Sequence, residues 1–461
     1  MNTFDDLNPA SGETLAQISI SSSEDVRAAI ARARAAQPAW AALTVEERAE
    51  HLAGLGPRLG EAAEDLAELV TREMGKPLSE ALAEVRTWER QVPVELAEVI
   101  LAMQVEVHPT KRGETRLHRA PLGVVAAITP WNFPIGMPLQ VIVPALASGN
   151  TVVFKPSELV PLVGAAIAKI TAELVPAGVL ELVQGSGATG AELVAGDVDL
   201  IGFVGSRATG QHIMQSASSS LKRLVLELGG KDPLVVMADA NLEAAAECAV
   251  RHSLRNAGQV CCAVERVFVA QEIAPEFERL VVQKAAEWTT GDGFDPDSRM
   301  GPLVSASQRD KVVSQVDEAL SSGARLCYRG ETPDGGGFFY PATVLADVSP
   351  GARISREETF GPVVSLTVFS GAEAEGVRLA NETPYGLGAN VYSADLECAE
   401  RMAQGIHAGQ VGINQYLGGA PGLPWVGARQ SGFGFLGGIE GHRQFTLPKS
   451  ISIPTTPTAD S

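Results

Sequence analysis

The pattern of apolar and polar residues divides the chain into a helical beginning and a longer region of short apolar runs. From about residue 22 to residue 103, Ala, Leu, Glu and Arg recur with the spacing of amphipathic helices. Thr44-Val45-Glu46-Glu47 has the pattern of a capping box that starts a helix, and Met74-Gly75-Lys76-Pro77 has the pattern of a helix end. The first hundred residues are therefore predicted to be mostly helical.

Beyond Arg112, short apolar runs alternate with helix-length segments over residues 160–174, 191–195 and 207–219. This alternation is typical of βαβ units on a parallel sheet, and it predicts a doubly wound α/β fold. The predicted strands cover residues 124–128, 151–154, 179–183, 200–204, 224–226 and 234–237.

A second α/β pattern extends from residue 239 to about residue 428. It contains predicted helices over 242–256 and 305–322, and predicted strands over 266–269 and 363–369. We expect a domain boundary near Gly229-Gly230-Lys231, where the pattern changes. The Thr-, Pro- and Ser-rich residues 453–461 are predicted to be a loose tail.

Composition then limits the function classes. The chain has 461 residues, of which 45% are hydrophobic and 20% charged, enough for two or three folded domains. A net charge of −19 argues against a nucleic-acid partner, because phosphate neutralisation needs clustered Lys and Arg. The first residues lack a signal-peptide pattern, so a cytoplasmic location is expected. The uncharged stretch over residues 120–154 contains five prolines, and we therefore expect no membrane span.

The five cysteines show neither paired CxxC spacing nor an accompanying histidine cluster, so no disulfide framework and no metal site is expected. Cys248, Cys327 and Cys398 are interpreted as small buried apolar residues. Cys261 and Cys262 follow Gly258-Gln259-Val260 after a predicted helix. Neighbouring side chains point in different directions, so one thiol of this pair can face a cleft while the other packs.

Two polar residues next to predicted strands are further candidates. Asn132, in Pro130-Trp131-Asn132-Phe133-Pro134, belongs either to a rigid turn or to a site where its neutral amide binds a developing oxyanion. Glu227, before Leu228-Gly229-Gly230-Lys231, is either paired with Lys231 at the surface or buried in a pocket, where a raised pKa suits a general base.

Phosphate binding has no familiar fingerprint in this chain, because no G-x-G-x-x-G follows a predicted strand. Gly205 and Ser206 instead stand between a strand and a helix start, where a pyrophosphate can bind. Lys155-Pro156-Ser157-Glu158 also follows a strand and offers a cation and a carboxylate to a ribose.

Taken together and in this order, these motifs resemble the NAD(P)-dependent aldehyde dehydrogenase superfamily, over nearly the whole chain. The expected fold is therefore α/β, with a Rossmann-like cofactor domain, an α/β catalytic domain and a small β oligomerisation extension. The resemblance rests on Asn8-Pro9-Ala10-Ser11-Gly12-Glu13, Pro130-Trp131-Asn132-Phe133-Pro134, Lys155-Pro156-Ser157-Glu158, Glu227-Leu228-Gly229-Gly230-Lys231, Gly258-Gln259-Val260-Cys261, Glu357-Glu358-Thr359-Phe360-Gly361-Pro362 and Ser431-Gly432-Phe433-Gly434.

The resemblance implies oxidation of an aldehyde to a carboxylic acid. Cys261 is the implied nucleophile and Cys262 a bystander. The Asn132 amide and the Cys261 backbone N–H are implied to hold the oxyanion of a thiohemiacetal. Hydride loss to the nicotinamide leaves a thioester, and Glu227 deprotonates the water that hydrolyses it.

The resemblance also implies the cofactor site. It assigns Lys155 and Glu158 to the adenosine ribose, and a carboxylate at that place favours NAD while NADP remains possible. The further implied cofactor residues are Trp131, Ser157, Gly205, Ser206, Glu358 and Phe360.

The implied cofactor domain covers residues 1–102 and 122–229, and the implied catalytic domain covers 230–428. Residues 103–121 and 438–461 form the implied oligomerisation extension, whose exposed strands predict a homodimer or homotetramer.

Two departures from the family pattern and one further resemblance concern the substrate. Gln140 and Val141 stand where many relatives have a Lys, and Pro424-Trp425-Val426-Gly427 replaces Pro-Phe-Gly-Gly. Arg255, six residues before Cys261, resembles the carboxylate-binding Arg of the succinate-semialdehyde group, which makes a semialdehyde substrate one hypothesis; an ordinary exposed Arg is the other.

Two rival functions remain open. The chain could release its acyl group to coenzyme A, against which Glu227 argues, because transfer to coenzyme A needs no base that activates water. It could also be a catalytically silent relative, against which the presence of both Cys261 and Asn132 argues.

Overall fold

The computed structural model describes residues 2–418 and 420–455. It contains two large sheets, each covered by helices on both faces, and a smaller three-stranded sheet. The predicted α/β architecture is thus confirmed. No described helix is long and apolar enough to cross a membrane.

The first sheet has six strands, which are parallel except for the last edge strand. Its order is Leu180–Leu182, Thr151–Lys155, Val124–Ile128, Leu200–Val204, Arg223–Glu227 and, antiparallel, Gly432–Phe433. Its central strands are buried on both faces, as continuous apolar runs in a parallel sheet require.

The alternation of side chains divides the core of this sheet into two layers. Val125 and Ala127 pack in a cluster with the helices Leu78–Ala102 and Gly136–Ala147. Val124 and Ala126 pack on the opposite face with the helix Ser23–Ala41. The remaining helices associated with this half are Val45–Leu52, Leu55–Glu61, Ala63–Met74, Pro161–Ala172, Gly187–Ala195 and Arg207–Ala217, with a short 3-10 turn over Ser218–Ser220.

The second sheet has seven strands and begins directly after the predicted boundary at Gly229-Gly230-Lys231. Its order is Arg325–Arg329, Thr343–Ala346, Val363–Phe369, Val264–Ala270, Asp232–Val236, Gly388–Tyr392 and Gln410–Ile413, with Arg325–Arg329 antiparallel. Its helices are Leu242–Leu254, Ala274–Ala285, Ala306–Ser321, Arg353–Arg356, Glu373–Asn381 and Leu396–Gly405.

The third sheet pairs the segment after the long helix with the end of the chain. Gly113–Pro121 lies between Glu106–Thr110 and Thr446–Pro454, and all three strands are antiparallel. The C-terminal member begins only at Thr446, because the preceding helix Gly438–Arg443 packs against the helix Leu78–Ala102 instead.

Local predictions from the sequence were largely right. The capping box at Thr44 and the left-handed Gly75 that ends a helix are both present. The predicted helix over 242–256 ends at Leu254 and is followed by a tight turn over Arg255–Gly258, in which Asn256 and Ala257 have left-handed backbone conformations. Of the predicted loose tail, residues 453 and 454 belong to the last strand, and residues 456–461 lie outside the described residues.

The other short elements complete the chain. They are the hairpin Thr3–Leu7 with Thr14–Ser19, the pair Trp425–Val426 with Phe435–Leu436, and the 3-10 turn Arg429–Ser431.

Candidate active site

The carboxyl ends of the parallel strands in the six-stranded sheet lie along one edge and carry most of the predicted site residues. The strand order reverses between Val124–Ile128 and Leu200–Val204. The two strands that follow Val124–Ile128 in the chain lie on one side of it, and the later strands Leu200–Val204 and Arg223–Glu227 lie on the other. Ligands of doubly wound folds bind at such a reversal. Trp131 and Asn132 follow the first of these strands, Gly205 and Ser206 follow the second, and Lys155 and Glu227 end the neighbouring strands.

A cavity of about 440 Å³ at this edge brings the three predicted catalytic residues together. Asn132, Glu227 and Cys261 all line it. The wall also contains Trp131, Gln140, Gly205, Ser206, Arg255, Cys262, Glu358, Phe360 and Trp425. Residues separated by more than a hundred positions in the sequence thus share one site.

The loop that carries Cys261 has an unusual backbone. Asn256 and Ala257 both have positive φ, which few non-glycine residues adopt, and Gly258 follows with φ +70°. A Cβ atom on Gly258 would lie 2.1 Å from the carbonyl oxygen of Gly361. This glycine is therefore required for the close approach of the cysteine loop to the turn that carries Phe360.

Amide side chains connect this loop to Asn132. The Asn132 Nδ2 atom donates to the Gln259 carbonyl at 3.0 Å, and the Asn256 side chain donates to the Asn132 carbonyl at 3.2 Å. Gln259 is in turn fixed by the Val304 N–H, which donates to its Oε1 atom at 2.9 Å. The Asn132 amide is thus held at the cysteine loop by one hydrogen bond, and a second N–H remains to bind another acceptor.

The two adjacent thiols change each other's pKa. The Tyr416 hydroxyl donates to the Cys262 carbonyl at 2.8 Å and lies 3.2 Å from the Cys262 sulfur. Hydrogen bonding from Cys261 and Tyr416 lowers the pKa of Cys262 to about 7. The pKa of Cys261 is raised, because Cys261 donates its hydrogen bond to Cys262 and is buried. The two thiols therefore titrate as a coupled pair, in which the hydrogen bonds favour the thiolate of Cys262.

Glu227 is buried and unpaired. It is 5% exposed, and neither carboxylate oxygen has a hydrogen-bond partner among the described residues. Burial raises the pKa of Glu227 well above its usual value. The interpretation of Glu227 as a surface partner of Lys231 is therefore wrong, and the interpretation as a buried carboxylate is right.

Lys231 has a different partner, because it extends into the second sheet. Its ammonium group pairs with the buried Glu265 carboxylate and donates to the Thr359 hydroxyl at 3.0 Å. Glu265 also accepts the backbone N–H groups of Thr359 at 2.7 Å and Phe360 at 2.9 Å. This network fixes the turn whose Glu358 and Phe360 face the cavity.

A second cavity, of about 460 Å³, continues from the first along the same sheet edge. Both cavities are lined by Trp131 and Gly205, and the second also contains Lys155, Ser157 and Glu158. The Lys155 ammonium lies 3.7 Å from the Glu158 carboxylate. Ser206 caps the helix Arg207–Ala217, with its hydroxyl accepting the Thr209 N–H at 3.3 Å.

A third and larger cavity, of about 750 Å³, opens on the other side of Phe133. Phe133, Met137 and Arg255 line both this outer cavity and the catalytic one. The Arg255 guanidinium lies 5.7 Å from the centre of the Phe133 ring. Arg255 is half-buried and forms no ion pair with any described residue, so it is not the ordinary exposed Arg of the alternative interpretation.

Sequence reasoning missed Glu265 and Tyr416, which support the site, and the buried Asp232 carboxylate near Cys262. Glu265 and Asp232 are acidic residues within apolar strands, and that contrast was the available signal. Tyr416 lies 154 positions from Cys262, and no local pattern indicates their contact.

Comparison with known proteins identifies the family. The model of the aldehyde dehydrogenase family matches residues 1–451. A betaine aldehyde dehydrogenase of Bacillus subtilis is 39% identical, over 98% of this chain and 94% of that protein. A probable succinate-semialdehyde dehydrogenase [NADP(+)] of Sinorhizobium fredii is also 39% identical, over 98% of this chain and 92% of that protein.

Solved structures show the same fold. A crystal structure of betaine aldehyde dehydrogenase from Staphylococcus aureus in complex with NAD+ has a TM-score of 0.91 and 35% identity, covering 98% of this chain and 91% of that one. An NADP-dependent enzyme of E. coli has a TM-score of 0.95 and 36% identity, covering 98% and 95%. The resemblance found in the sequence is confirmed: the chain belongs to the aldehyde dehydrogenase family.

Proposed function

We propose that this aldehyde dehydrogenase oxidises an aldehyde that carries an anionic group, with Cys261 as nucleophile, Asn132 as oxyanion donor and Glu227 as general base. The observation that carries the catalytic part is the shared cavity of these three residues. The proposal for the substrate rests on Arg255, which lines both cavities and forms no ion pair within 4 Å with a described residue, although Glu80 in the outer cavity interacts with it at longer range.

Cys261 acts first. A proton that passes from Cys261 to the neighbouring Cys262 sulfur moves the thiolate to the attacking position, and Tyr416 supports the pair. The thiolate adds to the aldehyde carbonyl carbon, and the new oxyanion is held by the free N–H of Asn132 and the Cys261 backbone N–H. This adduct is a hydride donor, which a free aldehyde is not.

Glu227 acts on the thioester that follows hydride loss. Its buried, unpaired carboxylate is suited to take a proton from water, because burial raises its pKa towards the working range of a base. The oxygen of the deprotonated water attacks the acyl carbon of the thioester, and the carbon–sulfur bond breaks to release the Cys261 thiolate and the carboxylic acid.

The cofactor we propose is NAD, and NADP is the alternative. The two connected cavities suit a dinucleotide, with Lys155, Ser157 and Glu158 at the adenosine end, Ser206 at the pyrophosphate, and Trp131, Glu358 and Phe360 at the other end. The Glu158 carboxylate accepts a ribose hydroxyl and repels a 2′-phosphate, although Lys155 beside it reduces that repulsion. When bound, the nicotinamide accepts the hydride.

The charge of the substrate distinguishes betaine aldehyde from succinate semialdehyde, the two substrates in the names of the relatives. Betaine aldehyde carries a quaternary ammonium group, which an unpaired guanidinium repels, whereas the carboxylate of a semialdehyde is attracted to it. Arg251, one helical turn before Arg255, adds a second unpaired cation to the wall of the outer cavity. We therefore favour a semialdehyde over betaine aldehyde.

The test compares succinate semialdehyde, butanal and betaine aldehyde as substrates of the parent and of Arg255→Gln. We expect the parent to prefer succinate semialdehyde. Arg255→Gln should raise the KM for succinate semialdehyde at least ten-fold and leave the KM for butanal nearly unchanged. Arg27→Gln is the matched control, since it removes the same charge from an exposed helix position that lines neither cavity. Preference of the parent for betaine aldehyde would refute the substrate proposal while leaving the catalytic proposal intact.

The same assay with and without coenzyme A addresses the rival activity. Hydrolysis by Glu227 predicts a rate that is independent of coenzyme A, and an absolute requirement for it would contradict the proposed role of Glu227.

We also propose a domain division and an oligomer. Residues 103–121 and 438–461 are the proposed oligomerisation extension beside a cofactor domain over 1–102 and 122–229 and a catalytic domain over 230–428. Neither edge of the three-stranded sheet pairs with another strand of the described residues, and the sheet exposes Val107, Leu447 and Ile451. Such a surface supports pairing with further copies of the chain, as a homodimer or homotetramer.

The cytoplasmic location also remains a proposal. All five cysteines are unpaired, and a nucleophilic thiol functions only in its reduced form, which a reducing compartment maintains.

A further inference from the structure

Three side chains with metal-binding atoms meet outside the active site, where the helix Leu78–Ala102 contacts the short helix Gly438–Arg443. Glu95 and Glu98 lie three residues apart on one face of the long helix, and His442 faces them from the short one. The His442 Nε2 atom lies 3.2 Å from Glu98 Oε2 and 3.5 Å from Glu95 Oε2.

This cluster is buried and incompletely satisfied. The side chain of His442 is 0% exposed and that of Glu95 is 5% exposed. Gln91 donates to one oxygen of Glu95 at 3.0 Å, but the other oxygen has no hydrogen-bond partner among the described residues, and neither has His442 Nδ1. A buried carboxylate oxygen without a hydrogen-bond partner destabilises the folded protein unless a nearby positive charge compensates it.

The protein supplies no such charge by itself. No described Lys or Arg forms an ion pair with Glu95 or Glu98. A bound metal cation would supply the missing positive charge, with two carboxylates and a neutral imidazole as its ligands.

The distances fit a small metal ion. Zn²⁺ binds histidine nitrogen and carboxylate oxygen at roughly 2.0–2.2 Å, so two ligand atoms of a tetrahedral site lie about 3.3–3.5 Å apart. The two separations of 3.2 and 3.5 Å match this spacing, and all three ligand atoms lie within 4.8 Å of one another. An imidazole nitrogen among the ligands favours a transition metal over Mg²⁺ or Ca²⁺.

We propose that Glu95, Glu98 and His442 bind one divalent transition-metal ion, with Zn²⁺ as the best match. The ion would connect the long helix to the C-terminal segment. That segment carries Leu436, whose strand pairs with Trp425 at the wall of the catalytic cavity, and it continues into the strand Thr446–Pro454. The site is therefore a structural clip and takes no part in the chemistry at Cys261.

The test titrates Zn²⁺ into full-length protein freed of metal with a chelator. Because Zn²⁺ also binds thiols, the titration uses the double variant Cys261→Ser, Cys262→Ser as its background. We expect one equivalent of Zn²⁺ per chain and a higher melting temperature with the ion. Glu95→Gln and His442→Gln should each weaken binding at least ten-fold, and the exposed-histidine control His407→Gln should leave it unchanged.

A structural readout covers the case in which a variant fails to fold. A crystal of the parent protein soaked in a zinc salt should show an anomalous difference peak between the three side chains. The proposal is overturned if the Cys261→Ser, Cys262→Ser protein binds no stoichiometric Zn²⁺, if Glu95→Gln and His442→Gln bind it as tightly as His407→Gln, or if the soaked crystal shows no peak there.

Discussion

Replacing Glu227 by Gln separates the two halves of the proposed reaction. The substitution keeps the size and shape of the side chain and removes only its capacity to accept a proton. Because both Glu227 oxygens lack hydrogen-bond partners among the described residues, no ion pair is broken by the change. Acylation of Cys261 should therefore continue, while hydrolysis of the thioester should nearly stop.

The size of the effect follows from the role of the group. A positioned general base contributes a rate factor of roughly 10²–10⁴, so we expect the steady-state rate of Glu227→Gln to fall by that factor. The parent should also lose its hydrolysis rate as the pH falls through the raised pKa of Glu227, because the protonated carboxyl cannot take a proton from water.

Stability distinguishes this effect from structural damage. A carboxyl whose pKa is higher in the folded than in the unfolded chain stabilises the folded state at low pH. That stability is lost as the pH rises from the unfolded pKa through the folded one. Gln does not ionise, so Glu227→Gln should be at least as stable as the parent at pH 8.

The assay follows nicotinamide absorbance in a stopped-flow instrument. Glu227→Gln should give a burst of about one reduced cofactor per active chain and then a slow steady state, and hydroxylamine should restore turnover by attacking the thioester. Undiminished steady-state turnover, or a rate loss without a burst, would refute the assignment of Glu227 to hydrolysis.

Three further predictions concern the cofactor, the core and the assembly. Glu158→Gln should shift the ratio of kcat/KM values towards NADP by about ten-fold, because it removes the charge that repels a 2′-phosphate; an unchanged ratio would show that Glu158 does not contact this group. Lys231→Met should lower the free energy of unfolding by about 3–5 kcal/mol in urea titrations, because it leaves Glu265 buried without its partner; a loss near zero would contradict the importance of this pair. Leu447→Lys combined with Ile451→Lys should reduce the mass measured by light scattering to that of one chain, and an unchanged mass would exclude this face of the sheet from the interface.

The fold could be predicted because its strands are buried on both faces. A parallel sheet between two helical layers requires short uninterrupted apolar runs, and residues 124–128 and 200–204 show them directly in the sequence. The short strands Gly432–Phe433 and Trp425–Val426 carry no such signal, because two residues are too few to show a period.

The site could be predicted only in part. Asn132, Glu227 and Cys261 stand in local motifs, so the sequence alone could suggest them as candidates, and all three line one cavity, but their neighbours depend on tertiary contacts. The partner of Lys231 proved to be Glu265, 34 positions away, and not Glu227. The cluster of Glu95, Glu98 and His442 joins residues more than 340 positions apart, and it was therefore invisible to any search for ligand spacing.

The choice between the two adjacent thiols is the most consequential assignment. In the resting arrangement the lower pKa belongs to Cys262, while the proposed nucleophile is Cys261. Acidity and nucleophilic role thus point to different sulfurs, and the proposal requires the proton to move between them before attack.

Mass spectrometry of the trapped thioester tests this assignment most directly. Glu227→Gln, incubated with NAD and an aldehyde and then digested with trypsin, should yield the peptide of residues 256–266, which contains both cysteines. Fragmentation should place the acyl group on Cys261. An acyl group on Cys262, or none on either cysteine, would contradict the account.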